Sequence, residues 1–261
     1  QYTAGKFDGC LMTNMDALTI PAAGGVDSTA VIMGDFSNGN DGILLKDKKD
    51  LADIKGQKVN LVELSVSHYL LARALETVGM SEKDVTVVNT SDADMVSAYG
   101  SDEITAMTTW NPQLSEIMTN NKNANLVYDS SKIPGEIIDM LVINTETLKD
   151  NPKLAKALTG AWFEVMALMK KGDKEALEFM AKASGTNLKG YKSQLDSTMM
   201  FYDPAEAVKF ADSADLPKTM KKVSEFSFDH GILGEGAPNA EFIGMAFPNC
   251  KTFGDTKNIK L

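Results

Sequence analysis

From residue 7 to residue 144, short apolar runs alternate with stretches of helical periodicity. Residues 7–13, 29–33, 42–46, 58–63, 85–89, 104–109, 125–128 and 138–144 read as strands. Between them, 16–23, 51–56, 92–99 and 111–118 read as short helices or helical turns. Residues 67–78 place Leu70, Leu71, Ala74, Leu75 and Val78 on one face, the spacing of an amphipathic helix, and Gly79 stops it. Beyond Asn144 the pattern becomes helical, with 151–171 as one long helix, then 174–183, 204–211 and 217–223. The last thirty or so residues carry Gly and Pro and are irregular.

The stretch 34–42, Gly-Asp-Phe-Ser-Asn-Gly-Asn-Asp-Gly, is too polar for a core and too rich in Gly and Asn for a helix interior. It reads as a loop between strands. Its polar side chains and exposed amides can converge on a ligand, or it is a plain turn.

Alternating β and α segments imply an α/β fold with a parallel or mixed sheet and helices on both faces. Ligands in such sheets sit beyond the carboxyl ends of strands. That rule selects residues 13–16, 35–41, 63–68, 89–94 and 109–111. Trp110 follows a strand, where it can stack on a planar ligand or cover a cation; packing is the plainer role. Asn111 can bond a ligand or cap the next helix, and the cap is favoured. Ser65, Ser67 and His68 open a helix whose amides suit an anion or a carbonyl oxygen, while Ser67 is also a credible cap. His68 more often packs than ligates, and no other side chain has metal-ligand spacing with it. The acids at strand ends or crossings are Asp16, Asp35, Asp41, Glu63 and Asp139. Each alone is better read as surface or cap. As a set they place at least one carboxylate at the site, in the order Asp41, Asp16, Glu63, Asp139. Asn14, Asn38 and Asn40 are amide partners. Met166, Met169 and Met180 have core spacing and read as packing.

Composition narrows the ligand classes. The 261 residues are 43% hydrophobic and 24% charged, which describes an ordinary globular protein. The net charge of −10 argues against nucleic acid or an anionic membrane. Arg73 is the only arginine, and arginine is the usual bidentate clamp for sulfonate, phosphate or carboxylate. Two cysteines, Cys10 and Cys250, make neither a disulfide framework nor a zinc site, and their pairing is left open. No cofactor or metal is expected. The chain opens without an initiator Met, on what reads as a helix end and strand entry, so an upstream segment and its export signal are expected to be missing.

Ala-Gly-Lys-Phe-Asp-Gly, Leu-Ala-Asp-Ile-Lys-Gly-Gln-Lys-Val, Ser-His-Tyr-Leu-Leu and Val-Gly-Met-Ser-Glu-Lys-Asp-Val, in that order, resemble substrate-binding proteins of bacterial ABC importers. The group is the nitrate/sulfonate/taurine class, or NMT1/THI5-like family. The stretch 34–42, Thr-Trp-Asn-Pro-Gln at 109–113 and Ile-Pro-Gly-Glu-Ile at 133–137 resemble its urea/guanidine branch, associated with urea-carboxylase-like enzymes. The resemblance implies a two-lobed type II periplasmic-binding-protein fold with a ligand cleft between lobes. Lobe one would comprise 1–45 and 139–261, and lobe two 46–138. Family members begin with a further strand, helix and strand, which this chain would lack. The implied function is extracytoplasmic or periplasmic capture of guanidinium, urea or an amide by hinge closure, with delivery to a membrane permease. A monomer without catalytic activity is expected. The alternatives are a taurine, alkanesulfonate or nitrate receptor, an enzyme of the same fold family, and a module for a protein partner.

Overall fold

The computed structural model of the chain describes residues 1–248 and 251–258. In chain order the strands are β1 (Gly9–Thr13), β2 (Ser28–Ser37), β3 (Asp41–Lys46), β4 (Lys58–Leu61), β5 (Thr86–Asn89), β6 (Ala106–Trp110), β7 (Ala124–Asp129), β8 (Ile138–Asn144), β9 (Thr198–Met200), β10 (Met245–Ala246) and β11 (Thr252–Phe253). The helices are α1 (Asn14–Ala17), α2 (Val66–Thr77), α3 (Met95–Tyr99), α4 (Gln113–Asn120), α5 (Thr145–Asp150), α6 (Leu154–Lys171), α7 (Lys174–Ala183), α8 (Leu188–Leu195), α9 (Pro204–Ala211) and α10 (Leu216–Asp229). Among the described residues, no helix is long and apolar enough to cross a membrane.

The chain forms two compact units, Gln1–Phe36 with Gly135–Leu261, and Ser37–Pro134. The breaks fall earlier than the expected 45/46 and 138/139, because β3 pairs with β6 and β7 and so belongs wholly to the second unit. In the first unit, β8 lies between β1 and β2 and is antiparallel to both; β10 and β9 reach the other side of β2. In the second, the order is β5-β4-β6-β3-β7, with β4 parallel to β5 and β6 and the remaining pairs antiparallel.

Each unit has its own core. In the second, Leu44, Met95, Tyr99, Met107, Leu114 and Ile117 are buried together. In the first, Val31, Ile32 and Ile143 pack under Leu158 and Trp162 of α6. Met166 and Met169 meet Leu177 and Met180 in a further cluster, so these methionines are packing residues as expected. Phe36, Phe201 and Phe210 form an aromatic group with centroids 5.0–5.9 Å apart.

The structure corrects the sequence reading in several places. Residues 34–37 are strand rather than loop: Asp35 and Phe36 of β2 pair with Asp139 and Ile138 of β8. The polar turn shrinks to 38–40. The expected helix 16–23 is a single α turn followed by a π-helical turn, Leu18–Ala22, containing Pro21. The expected helix 151–171 starts only at Leu154, since a residue before proline, here Asn151 before Pro152, resists the helical region. The elements not expected include α5, α8, β9, β10 and β11. Gly190 interrupts the apolar pattern of α8, and Asn187 compensates by accepting from the Gly190 N–H at 3.0 Å. Cys10 is exposed, and Cys250 lies outside the described residues.

Leu44 is fully buried, whereas Leu11 on the outermost strand of its sheet is 61% exposed. Leu44→Ala should therefore cost about 2–5 kcal/mol in denaturant unfolding, and Leu11→Ala within about 0.5 kcal/mol of zero. Equal losses would contradict these core assignments.

Candidate functional site

In the first unit, three carboxyl groups gather where β1 ends and β8 begins. Asp139 lies opposite Thr13 of β1 on one side and opposite Asp35 of β2 on the other. The Thr13 hydroxyl accepts the Asp16 N–H at 3.1 Å, which caps α1 and fixes Asp16 beside the strand ends. Like charges directly opposite across a ladder are unfavourable. Asp35 and Asp139 are such a pair, direct partners in the β2–β8 ladder. Burial, and then the neighbouring Asp139 charge, push the Asp35 carboxyl up to about 8. Asp139 keeps contact with solvent although protein atoms crowd round it. That crowding raises it first, the neighbouring Asp35 opposes the rise, and Asp16 adds to it. Asp16 is raised by burial, against the opposing effect of the adjacent Thr13. Among the described residues, no lysine or arginine offsets any of the three.

Asn14 holds this corner in place. Its side-chain amide is buried; Nδ2 donates to the Glu136 carbonyl at 3.0 Å, and Oδ1 accepts from the Ile138 N–H at 3.2 Å. The Glu136 carboxylate pairs with Lys222 at 2.6 Å. Asn14 thus ties α1 to the entry of β8, which sets where Asp139 stands, and both ends of its amide are already bonded.

In the second unit, the turn 38–40 is held by hydroxyls. Ser37 Oγ donates to Asp41 Oδ2 at 2.5 Å, so Ser130 Oγ donates to Ser37 at 2.6 Å. Ser130 Oγ also accepts the Gly39 N–H at 2.8 Å. Gly39 has φ 109°, a conformation that favours glycine. Asp41, first among the expected ligand acids, is 4% exposed and accepts this serine chain. Asn38 and Asn40 are half-buried on the turn, and the Asn40 carbonyl accepts the Asn111 N–H at 2.9 Å.

The start of α2 is similarly self-contained. Ser65 Oγ accepts the Ser67 N–H and donates to the Val62 carbonyl at 2.7 Å. His68 Nδ1 accepts the N–H of Leu64, a residue with φ 62°. The imidazole proton is then on Nε2, which faces Glu82 Oε1 at 2.5 Å. His68 is a buried bracket for this turn, in line with its plainer reading. Ser67 is fully buried and its hydroxyl has no hydrogen-bond partner. The Glu63 side chain is exposed. Trp110 is half-buried opposite Asp41 in the β3–β6 ladder. The Asn111 side chain accepts from the Ser115 N–H at 3.1 Å and from its hydroxyl, capping α4 as expected. Arg73 pairs with Glu76 three residues along the same helix.

The fold thus brings together Asp16 and Asp139, which were expected, with Asp35, which the order of preference left out. The signal for Asp35 was its strand-end position, but its partner depended on the β2–β8 register. The first unit also has an apolar groove of about 820 Å3, lined by Val31, Ile32, Leu148, Phe163, Ala207 and Phe247 among others. Its walls present little that could orient a small polar solute, so the chemistry lies with the acids.

A Brucella abortus (strain 2308) protein that carries only a provisional name as a binding protein is 26% identical over 169 residues, which is 64% of this chain and 52% of that protein. The chain spans about half the length of such curated relatives. Among solved structures, the periplasmic aliphatic sulphonate binding protein SsuA of Escherichia coli matches with a TM-score of 0.75 and 19% identity, over 91% of this chain and 78% of that one. The alkanesulfonate-binding SsuA of Xanthomonas axonopodis pv. citri, bound to MOPS, matches with a TM-score of 0.71 and 17% identity, over 92% and 79%. The desulfurization enzyme DSZB is a more distant match, with a TM-score of 0.63 and 12% identity, over 86% and 79%. The chain therefore has the α/β fold of periplasmic solute-binding proteins. A family model described as NMT1/THI5 like matches residues 12–176, more than half of the chain, and the chain belongs to that family.

Proposed function

We propose that this protein is the solute-binding component of an ABC importer and captures a small, nitrogen-rich cation, guanidinium above all, by hinge closure. Membership of a family with solute-binding members and a periplasmic-binding-protein fold support the receptor role. The acid cluster of Asp16, Asp35 and Asp139, with no counter-charge among the described residues, carries the ligand class. Neighbouring carboxylates repel one another until a cation joins them, so such a cluster favours a guanidinium with its planar fork of N–H donors. Trp110, Asn38, Asn40, Glu63, Ser65 and Ser67 are proposed as further ligand contacts, with Asn14, Asp41, His68 and Asn111 acting through the frame they hold. A membrane permease would be the partner and the periplasm the place of action.

A sulfonate receptor is the second reading, favoured by the unpartnered Ser67 hydroxyl in the first turn of α2. Three carboxyls oppose an anion, and the only arginine is engaged with Glu76.

Titration calorimetry with millimolar guanidinium, urea and taurine in parallel tests the ligand. Saturable guanidinium binding, weakened at least tenfold in Asp139→Asn, is expected. Saturable taurine binding without guanidinium binding would overturn the reading.

Stability should also follow the acid pair. Asp35 titrates near 8 in the folded protein against a usual 3.8, so between these values only the folded state holds the proton. Its contribution to stability is full below about 4 and is lost as pH rises through about 8. In denaturant melts of the ligand-free protein, Asp35→Asn should gain on wild type steadily from pH 5 to pH 8.5. Parallel pH profiles would contradict the raised Asp35.

A further inference from the structure

The polar turn between β2 and β3 carries a chemically reactive step. Asn38 and Gly39 are both half-buried there, within reach of water. Gly39 has φ 109°, a conformation that L side chains rarely adopt, so the turn needs glycine at this position. Glycine also leaves its backbone nitrogen unshielded, because no side chain keeps the preceding asparagine amide away. Asn38–Gly39 is the single Asn-Gly step in the 261 residues. The exposed nitrogen is held by a hydroxyl from far along the chain. Ser130 Oγ accepts the Gly39 N–H at 2.8 Å. Ser130 is fully buried and tied through Ser37 to Asp41, at 2.6 Å and 2.5 Å. All of these residues belong to the second unit.

We propose that Asn38 is a deamidation site that the folded protein keeps latent, and that the Ser130 hydroxyl is its guard. The chemistry balances without any group foreign to water. The Gly39 nitrogen gives up its proton to solvent and bonds to Asn38 Cγ, closing a succinimide ring. The Cγ–Nδ2 bond breaks, and Nδ2 takes a proton from solvent and leaves as ammonia. Water then opens the ring at one of its two carbonyls, giving aspartate or isoaspartate. Nothing is oxidised or reduced, and water is the only co-reactant.

The Gly39–Ser130 bond opposes the first step in two ways. A hydrogen bond made by the protonated form favours that form, so the N–H is harder to strip. A nitrogen turned toward the Ser130 oxygen also cannot face the Asn38 side-chain carbon. Modification therefore waits for the turn to part from Ser130, which is a local opening and not an unfolding of the unit. The event runs one way. Isoaspartate puts an extra carbon into the backbone of the turn. Either product adds a carboxylate close in the chain to the buried Asp41, which already accepts from Ser37.

Peptide mapping by mass spectrometry during incubation at mildly alkaline pH, with isoaspartate read by enzymatic methylation, tests this. Asn38 in native wild type should deamidate about tenfold or more slowly than in the same chain unfolded in urea. Ser130→Ala should raise the native rate about three- to tenfold, the shift expected when one neutral hydrogen bond that closes the turn is lost. Leu44→Ala weakens the core of the same unit away from the turn and should stay near the wild-type rate. Equal acceleration in both variants would make general unfolding the route and overturn the guard. No isoaspartate should form at this turn in Asn38→Gln, and its persistence there would overturn the site. Should Ser130→Ala fail to fold, hydrogen exchange of the Gly39 amide in wild type decides without a variant. That amide should exchange about tenfold or more slowly than an unprotected one. Unprotected exchange, or native deamidation as fast as in urea, would overturn the inference.

Discussion

The antiparallel pairing of β2 with β8 is the constraint on which the rest of this site depends. It sets Asp35 against Asp139 and Phe36 against Ile138. β8 passes the same register to β1, bringing Thr13, and through its hydroxyl Asp16, to the same corner. A shift of one residue would turn side chains to the other face of the sheet and dissolve the cluster. The buried Asn14 amide, bonded to both Glu136 and Ile138, guards that register at the point where the chain re-enters the first unit.

The two units handle polarity differently. In the second, polar groups near the strand ends mostly answer one another: Ser130, Ser37 and Asp41 form a chain, Ser65 and Asn111 cap helices, and His68 braces Leu64. Closed networks of this kind rigidify a frame. In the first, among the described residues, no lysine or arginine offsets the carboxyl cluster.

The sulfonate-binding structures with the same fold do not conflict with this. At 17–19% identity, the fold is shared while the side chains that meet a solute are free to differ. Here the charge at the strand ends is of the sign that repels a sulfonate.

The sequence by itself determined the α/β class and most element positions, since periodicity and Gly stops are local signals. The helix of Leu70, Leu71, Ala74 and Leu75 and the strand Ile138–Asn144 were legible because their burial pattern repeats over several residues. It also identified strand ends as the place for chemistry and resembled the right family. It could not say which strand ends meet. Asp41 ranked first among the acids because it sits in a polar stretch, yet it accepts from Ser37 four residues back, whose hydroxyl is held by the distant Ser130. Asp35 stood among the strand-end acids but outside the order of preference, and only the distant β8 supplies its partner. Whether an acid is held by neighbours or left unpaired depends on contacts between residues a hundred positions apart, and no local pattern encodes those.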